Sequence, residues 1–156
     1  MRKISTGHRR PTQPDPKFGD ITLTTFVNNI MKDGKKSVAF GVVYDALDIV
    51  EEKTGENGLE VWKKALANIV PSVQVVSRRV GGSTFQIPAE VKPQRKMALG
   101  MRWMIQFSKK RSGKGMAEKL AAEVIAASNN EGGAVKKKED THRMAEANKA
   151  FSHFRV

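Results

Sequence analysis

The sequence contains no cysteine and no long hydrophobic run. Without cysteine, the chain can form neither disulfides nor thiolate metal sites, and it offers no cysteine nucleophile. No apolar segment approaches the roughly 20 residues that a membrane-spanning helix needs, and residues 1–5 lead into no hydrophobic signal core. We therefore expect a soluble, cytoplasmic protein, and no residue pattern indicates a cofactor.

Acidic residues are scarce relative to basic ones. The chain has 16 Asp and Glu against 28 Lys and Arg, which gives a formal net charge of +12. This imbalance favours a nucleic acid or an anionic membrane as the partner, without choosing between them. With 156 residues, 39% of them hydrophobic, the chain is long enough for one folded domain with an ordinary core.

The first 19 residues predict a flexible basic arm. They combine several prolines with little that a core could bury, and they carry five cations, Arg2, Lys3, Arg9, Arg10 and Lys17. Such an arm gains order only against a partner that offsets its entropy, and phosphate is the obvious partner, although a merely soluble tail is the alternative. We therefore predict an arm at residues 1–19 and a single helical domain at residues 20–156.

Apolar spacing predicts a mainly α fold of about six helices. Asp20 is a good N-cap for the first helix, and Lys35 and Lys36 open the second. On the second helix, Asp45, Asp48 and Glu52 group opposite the apolar face. Carboxylates at this spacing could hold a divalent cation, but no histidine lies nearby, and a solvated face turned away from phosphate is the simpler interpretation.

The only strand pattern in the sequence predicts a β-hairpin. Two β-branched runs, residues 73–80 and 84–91, flank Gly81, Gly82 and Ser83, which tolerate the positive φ of a hairpin turn. Pro88 cannot donate a ladder hydrogen bond, so its nitrogen must face outward, as it can in an isolated two-stranded ribbon. A lone ribbon is marginal in water, so its base must rest on helices while its far end projects.

The projecting end of the hairpin carries Arg78 and Arg79. Adjacent side chains on a strand point to opposite faces, so these arginines present charge on both sides of the ribbon. Phe85 is the one aromatic residue near the tip that is placed to stack on a base. A solvated hairpin tip is the alternative, since exposed arginine is ordinary.

A helix predicted from Pro93 to about Lys110 is apolar on most sides. Arg95, Arg102 and Lys109 recur at seven-residue intervals and fill the remaining gap as one line. We interpret this line as the edge that a buried helix shows to a partner, with snorkelling surface cations as the alternative. We further hypothesise that the hairpin arginines and this line form one continuous face.

Two more basic segments follow along the chain. The loop at residues 109–115 combines four cations with glycines that let a phosphate backbone approach, but it lacks the spacing of a nucleotide-binding loop. After a fifth helix, residues 134–156 are helix-prone but polar nearly all round, with Lys136–Asp140 and Glu139–Arg143 at i, i+4 spacing. His142 lies beside Asp140, but the sequence places no nucleophile or second base to complete a catalytic pair.

The candidate RNA-binding residues are the cations of these segments. They are Arg2, Lys3, Arg9, Arg10, Lys17, Lys35, Lys36, Arg78, Arg79, Lys92, Arg95, Arg102, Lys109, Lys110, Arg111, Lys114, Lys136, Lys137 and Arg143. No catalytic or metal-binding residue is predicted. From the residues alone, an architectural DNA-binding protein with a minor-groove ribbon arm remains an alternative, and an RNA-processing enzyme would need a carboxylate or histidine cluster on the basic face.

Several segments resemble the bacterial family of small ribosomal subunit protein seven. Residues 77–88, SRRVGGSTFQIP, are similar to that family's hairpin, and residues 135–151, VKKKEDTHRMAEANKAF, are similar to its terminal helix. Residues 33–36 and 9–10 also match, so the resemblance covers essentially the whole chain. Lys138 departs from the arginine that many members carry.

The resemblance implies a structural constituent of the small ribosomal subunit and not an enzyme. It implies six helices with a protruding hairpin, binding to the 3′ major domain of 16S ribosomal RNA, and a role in nucleating the head of the subunit. It also implies a place near the exit-site transfer RNA and the messenger RNA path, with contacts to small-subunit proteins nine and eleven.

Overall fold

The computed structural model describes residues 11–154, which divide between Phe40 and Gly41 into two compact units. The helices are α1 (Ile21–Ile30), α2 (Lys36–Thr54), α3 (Gly58–Ile69), α4 (Pro93–Lys110), α5 (Met116–Ser128) and α6 (Gly133–Ala147), followed by a terminal 3₁₀ helix (Lys149–Phe154). The strands are β1 (Val73–Val80) and β2 (Ser83–Glu90). These elements confirm the predicted mainly α fold of six helices with one hairpin.

In the first unit, α1 begins where the sequence predicts. The Asp20 carboxylate accepts hydrogen bonds from the backbone N–H groups of Thr22 (2.7 Å) and Leu23 (3.1 Å), so it satisfies donors that the first helical turn leaves unpaired. Leu23, Phe26 and Val27 are fully buried. The cap and the apolar face predicted for this helix are therefore confirmed.

Residues 15–19 are more ordered than an arm implies. The Asp15 side chain is 2% exposed, and its oxygens accept hydrogen bonds from the backbone N–H groups of Lys17 (3.2 Å), Phe18 (2.8 Å) and Asp20 (2.6 Å). A short side-chain acceptor that bonds the backbone a few residues on is a local turn device. The end of the segment assigned to the arm thus forms a hydrogen-bonded turn that leads into α1.

In the second unit, α3 packs against α4, α5 and α6. The centre of this packing is apolar, with Trp62, Leu66, Met104 and Leu120 all at most 3% exposed. The Asn68 amide donates to the Ala127 carbonyl over 2.9 Å and so ties α3 to the end of α5. Asn57 caps the start of α3, so this helix has both a side-chain cap and a buried apolar face.

The hairpin turn consists of Gly81 and Gly82, with φ of 58° and 87°, so β2 begins at Ser83, one residue earlier than predicted. Positive φ at both central residues is the geometry of a type I′ turn. Val80 and Ser83 form the hydrogen-bonded pair that closes the turn, and hydrogen-bonded and non-hydrogen-bonded pairs alternate along an antiparallel ribbon. By this count Val75 and Pro88 form a non-hydrogen-bonded pair. The Pro88 nitrogen therefore faces outward, as its missing N–H requires.

The base of the hairpin is anchored by the C-terminal elements. Strand β1 packs mainly against α6, and β2 packs mainly against the terminal 3₁₀ helix. Ile87, in β2, is 4% exposed, and Val91, the residue after that strand, is 2% exposed. All residues from Ser77 to Arg79, by contrast, are exposed. The predicted contrast between a supported base and an exposed far end is confirmed.

Candidate nucleic-acid interface

The structure describes most of the predicted RNA-binding residues. Arg2, Lys3, Arg9 and Arg10 lie outside the described residues. The exposed ones are Lys17, Lys35, Lys36, Arg78, Arg79, Lys92, Arg95, Arg102, Lys109, Lys110, Lys114, Lys136 and Arg143, while Arg111 and Lys137 are half-buried. Among residues 11–154, no helix is long and apolar enough to cross a membrane, and no group of histidine and acidic residues is placed to hold a metal ion.

The hairpin presents its two arginines on opposite faces. In the strand register, Arg78 lies opposite Phe85 and Arg79 lies opposite Thr84, and cross-strand partners share a face while neighbours in the chain do not. On the Arg79 face, the Gln86 amide donates to the Ser77 hydroxyl over 2.7 Å and links the two strands near the tip. The geometry therefore agrees with a ribbon that offers charge on both sides.

Phe85 is not the free stacking residue that the sequence suggested. Its ring is half-buried, with its centroid 5.4 Å from that of Phe151 in the terminal 3₁₀ helix and the two planes tilted by 44°. Tilted aromatic pairs at this distance are a favourable packing arrangement. Phe85 therefore packs against the terminal 3₁₀ helix. The sequence gives no local pattern that predicts this contact, because Phe151 lies far along the chain.

Helix α4 separates a buried face from a basic face. Met101, Met104 and Ile105 are at most 6% exposed, whereas Arg95 and Arg102 are exposed. The exposed face is wider than the narrow gap predicted from the sequence, because uncharged residues also lie on it. Its members are Gln94, Arg95, Met97, Ala98, Arg102, Gln106, Lys109 and Lys110.

The hypothesis that the hairpin arginines and the α4 cations form one continuous face stays a prediction. The strands pack against α6 and the terminal 3₁₀ helix, while α4 packs against α3, α5 and α6. Helix α6 therefore contacts both elements. Arg78, Arg79, Arg95 and Arg102 are all exposed, so each can contribute to a shared face.

Cations occupy the beginnings of two helices. The N-cap of α4 is Lys92, which makes no side-chain capping bond, and Arg95 and Lys96 lie in a first turn without acidic residues. Helix α2 begins at Lys36, directly after Lys35, and its first turn also lacks acidic residues. Positive charge is unfavourable at the positive end of a helix dipole. An anion bound there is attracted both by the dipole and by the cations.

Arg111, predicted to bind RNA, already has a partner inside the protein. Its Nε donates a short hydrogen bond to Oε2 of Glu123, whose side chain is 1% exposed. Glu123 escaped the sequence analysis, although it interrupts the apolar stripe of α5 between Leu120 and Val124, and a charge in an apolar stripe indicates a buried partner.

Lys114 lies beside carboxylates. It lines a shallow groove together with Asp45 and Asp48 of α2, and its backbone N–H donates to Glu118 over 3.2 Å. The sequence predicts that the acidic side of α2 faces away from phosphate, but Asp45 and Asp48 line the same groove as Lys114. These carboxylates make the binding of an anion at Lys114 less favourable.

On α6, the side-chain pairing differs from the i, i+4 prediction. Arg143 Nη1 lies 3.6 Å from Asp140 Oδ1, at i, i+3, with the Arg143 side chain 79% exposed and the Asp140 side chain 44% exposed. An exposed pair of this kind contributes little to stability, so it leaves Arg143 available to another anion. Lys136 is exposed and Lys137 half-buried.

His142 joins α6 to the base of the hairpin. Its Nε2 accepts a hydrogen bond from the Ser72 backbone N–H over 3.1 Å, which requires an unprotonated nitrogen. Partial burial, and then the nearby Lys138 charge, lower the pKa of His142. The Ser72 hydroxyl also lies 3.4 Å from the same nitrogen. Both contacts of His142 are thus with Ser72, at the base of the hairpin.

The chain matches known proteins over its whole length. The sequence model of the family described as "Ribosomal protein S7p/S5e" matches residues 1–149. Proteins named small ribosomal subunit protein uS7 are similar to it: that of Cytophaga hutchinsonii is 63% identical over 155 residues, covering 99% of both chains. The protein of Christiangramia forsetii is 61% identical over 158 residues, with 99% of both chains covered, and that of Amoebophilus asiaticus is 56% identical over 156 residues, with 100% of both covered.

Proposed function

Because the chain belongs to the ribosomal protein S7p/S5e family, we propose that it binds the 3′ major domain of 16S ribosomal RNA and thereby nucleates the head of the small subunit. As a member of this family it is an RNA-binding structural constituent of the small ribosomal subunit in the cytoplasm, and the family is not enzymatic. The choice of RNA domain and the role in assembly are the proposal.

One observation carries this proposal: α4 presents exposed cations opposite a fully packed face. Among residues 11–154, Lys92, Arg95, Arg102 and Lys109 form no ion pair with an acidic side chain. Such cations can neutralise phosphates and release the counterions that surround RNA, which makes binding strongly dependent on salt. The buried face fixes where the charges lie, so the spacing of the phosphates can be read as shape.

The hairpin supports a second part of the proposal. Arg78 and Arg79 lie at the exposed end of a ribbon whose base is held by α6 and the 3₁₀ helix. We propose that this end reaches the exit-site transfer RNA and the messenger RNA path. Because Phe85 packs against Phe151, recognition there depends on the arginines and the backbone more than on base stacking. Contacts to small-subunit proteins nine and eleven belong to the same proposal.

The two alternative functions have less support. An architectural DNA-binding protein would share the cationic hairpin, but membership in a ribosomal family gives no reason to prefer duplex DNA. An RNA-processing enzyme would need acidic or histidine groups on the basic face. In the described part of the chain, predicted cations lie near acidic residues at Arg111, Lys114 and Arg143, but no histidine and acidic residues there form a cluster suited to a metal ion.

The test is binding of the purified protein to the isolated 3′ major domain of 16S ribosomal RNA. Affinity is measured across a salt series, with excess transfer RNA and duplex DNA as competitors. We expect tight binding that survives both competitors, with log K falling steeply as log salt concentration rises. Equal loss of binding to either competitor would reduce the chain to a general polycation and overturn the proposal.

A further inference from the structure

A buried carboxylate lies where three helices of the second unit meet. Glu123, on α5, accepts a hydrogen bond at Oε2 from Nε of Arg111, the residue directly after α4. Its Oε1 accepts a buried bond of 2.9 Å from the backbone N–H of Ala134, in the first turn of α6. One side chain is therefore bonded both to the end of α4 and to the start of α6.

Two glycines let the backbone approach this carboxylate. Gly132 has φ of 91°, and a Cβ atom there would lie 3.1 Å from both Arg111 Nη2 and Glu123 Oε1. A Cβ atom at Gly133 would overlap the ring of Phe107, which comes from α4. The backbone at Gly132 thus lies close to both the Arg111 guanidinium and the Glu123 carboxylate, and the backbone at Gly133 lies against the Phe107 ring.

Exposed cations lie on the adjoining ends of α4 and α6. Lys109 and Lys110 are in the last turn of α4, with the Lys110 ammonium 5.0 Å from the centroid of the Phe107 ring, and Lys136 lies in the first turn of α6. The Arg111 side chain itself is 33% exposed. Within residues 11–154 its terminal nitrogens make no further hydrogen bond, so they remain able to donate to an anion.

Arginine is suited to this double use. Its guanidinium is a rigid fork, so one nitrogen can bond a protein carboxylate while the others bind phosphate in a fixed geometry. A buried ion pair is a weak stabilising device, since apolar residues of the same volume often stabilise a fold as well. The Glu123–Arg111 pair is therefore better explained by what it orients.

We propose that Glu123 is a positioning residue that holds Arg111 to bind an RNA phosphate between the end of α4 and the start of α6. The inference rests on the proposed function, because the phosphate belongs to the bound RNA. Glu123 is too deeply buried to contact RNA, so it acts through Arg111. Lys109, Lys110 and Lys136 then add charge around a phosphate that Arg111 fixes in place.

The test uses the direction of a charge effect. Removing an acidic group from a chain with a net charge of +12 should by itself strengthen attraction to RNA. The variant Glu123→Gln keeps the shape and an acceptor for Ala134, yet we expect binding to the 3′ major domain to weaken roughly tenfold, the effect of losing about one charge-assisted hydrogen bond. The slope of log K against log salt should fall by about one phosphate contact.

The matched control is Glu139→Gln, which removes the same charge from an exposed position on α6 and should bind as tightly as the unmodified chain or more tightly. Circular dichroism and thermal unfolding establish that each variant is folded. In an Arg111→Lys background, Glu123→Gln should change affinity by less than about twofold, because the oriented fork is already absent.

The outcomes separate this inference from the proposed function. A folded Glu123→Gln variant with unchanged affinity and salt slope overturns the inference alone. If that variant does not fold, the Arg111→Lys variant decides, since it keeps the positive charge but loses the rigid guanidinium fork. Unchanged RNA affinity of Arg111→Lys overturns the inference, and a roughly tenfold loss of RNA affinity supports it. If the unmodified chain loses equally to both competitors, the proposed function falls and the inference with it.

Discussion

Helices α1 and α3 begin differently from α4 and α6. Asp20 and Asn57 each accept two backbone N–H bonds at the starts of α1 and α3. The N-cap residues of α4 and α6, Lys92 and Gly132, make no side-chain capping bond, and the first turns of α4 and α6, like that of α1, lack acidic residues. The start of α6 is bonded instead by Glu123, from another helix.

The difference separates helices whose first turn is capped by their own N-cap residue from helices whose first turn depends on other groups. A side-chain cap contributes about 1 kcal/mol, and acidic residues in the first turn add a few tenths more. Helix α4 forgoes both terms and places cations at its positive end, which suits a bound anion. Helix α6 forgoes its own cap and obtains one through tertiary packing. The four predictions below test this division, from the largest expected effect to the smallest.

The variant Gly133→Ala should break the start of α6. Its new Cβ would overlap the Phe107 ring, and overpacking of this kind costs about 1–3 kcal/mol of unfolding free energy. The control is Gly41→Ala, on the exposed face of α2 with no other atom within 4 Å of the new Cβ, which should stabilise the chain by up to about 1 kcal/mol. Urea unfolding measures both, and equal midpoints for the two variants would show that α6 does not depend on this packing.

Replacing Arg95 and Arg102 together with alanine should weaken RNA binding while leaving the fold intact. We expect roughly tenfold lower affinity for the 3′ major domain, and a salt slope smaller by about the contribution of two phosphates. The control replaces Gln94 and Gln106, uncharged residues exposed on the same helix, with alanine. Filter binding across a salt series measures both variants, and an unchanged slope for the arginine variant would remove α4 from the RNA interface.

Replacing the N-cap residue of α1 or of α4 with alanine tests the comparison directly. Asp20→Ala should lower the unfolding free energy by about 1 kcal/mol, because two backbone donors lose their acceptor. Lys92→Ala should change stability by less than about 0.5 kcal/mol, since Lys92 makes no capping bond, and should instead weaken RNA binding. Thermal unfolding and RNA titration of both variants give the answer. Similar stability losses for the two would contradict the division.

Acidification should loosen the contact between α6 and the hairpin base. The pKa of His142 is lowered in the folded chain, so below the ordinary histidine value of about 6.5 the unfolded chain takes up the proton first. Stability from this group is therefore complete above that pH and is lost as pH falls towards the lowered pKa. The loss should be on the order of 1 kcal/mol or less, the contribution of one hydrogen bond.

The check on this pH effect is an NMR titration of the His142 ring and the Ser72 amide, with unfolding measured at several pH values. Glu90, Glu146 and Lys149 line the same cleft as His142, so a His142→Gln variant is needed to isolate the imidazole. That variant should lose the pH dependence assigned here. If its stability falls with pH as the unmodified chain's does, another group is responsible.

Local patterns in the sequence were sufficient for the elements. The Asp20 cap, the turn at Gly81 and Gly82, and the helix from Pro93 to Lys110 each depend on residues within one element, and each appears where predicted. Strand β2 begins and ends one residue earlier than predicted. The exposure of Arg95 and Arg102 follows from helical periodicity alone. The family resemblance came from two uninterrupted segments, which a sequence displays completely.

Contacts between distant segments were not predictable in the same way. Glu123 with Arg111, Phe85 with Phe151, and Ser72 with His142 join residues 12, 66 and 70 positions apart in the chain. No periodicity relates such positions, because helix and strand repeats extend only over a few residues. The hypothesis of one continuous cationic face has the same difficulty, since it depends on the relative placement of the hairpin and α4.

The sequence by itself determined that this chain is a basic, mainly helical protein with one hairpin, and that Arg95 and Arg102 lie on an exposed face of their helix. Those properties depend on composition and on the geometry of single elements. Only the tertiary structure decided that Arg111 is held by a buried carboxylate, that Phe85 is covered by the C-terminal turn, and that the hairpin rests on α6. Each of these depends on which elements pack together, and that is set by the burial of apolar faces across the whole chain.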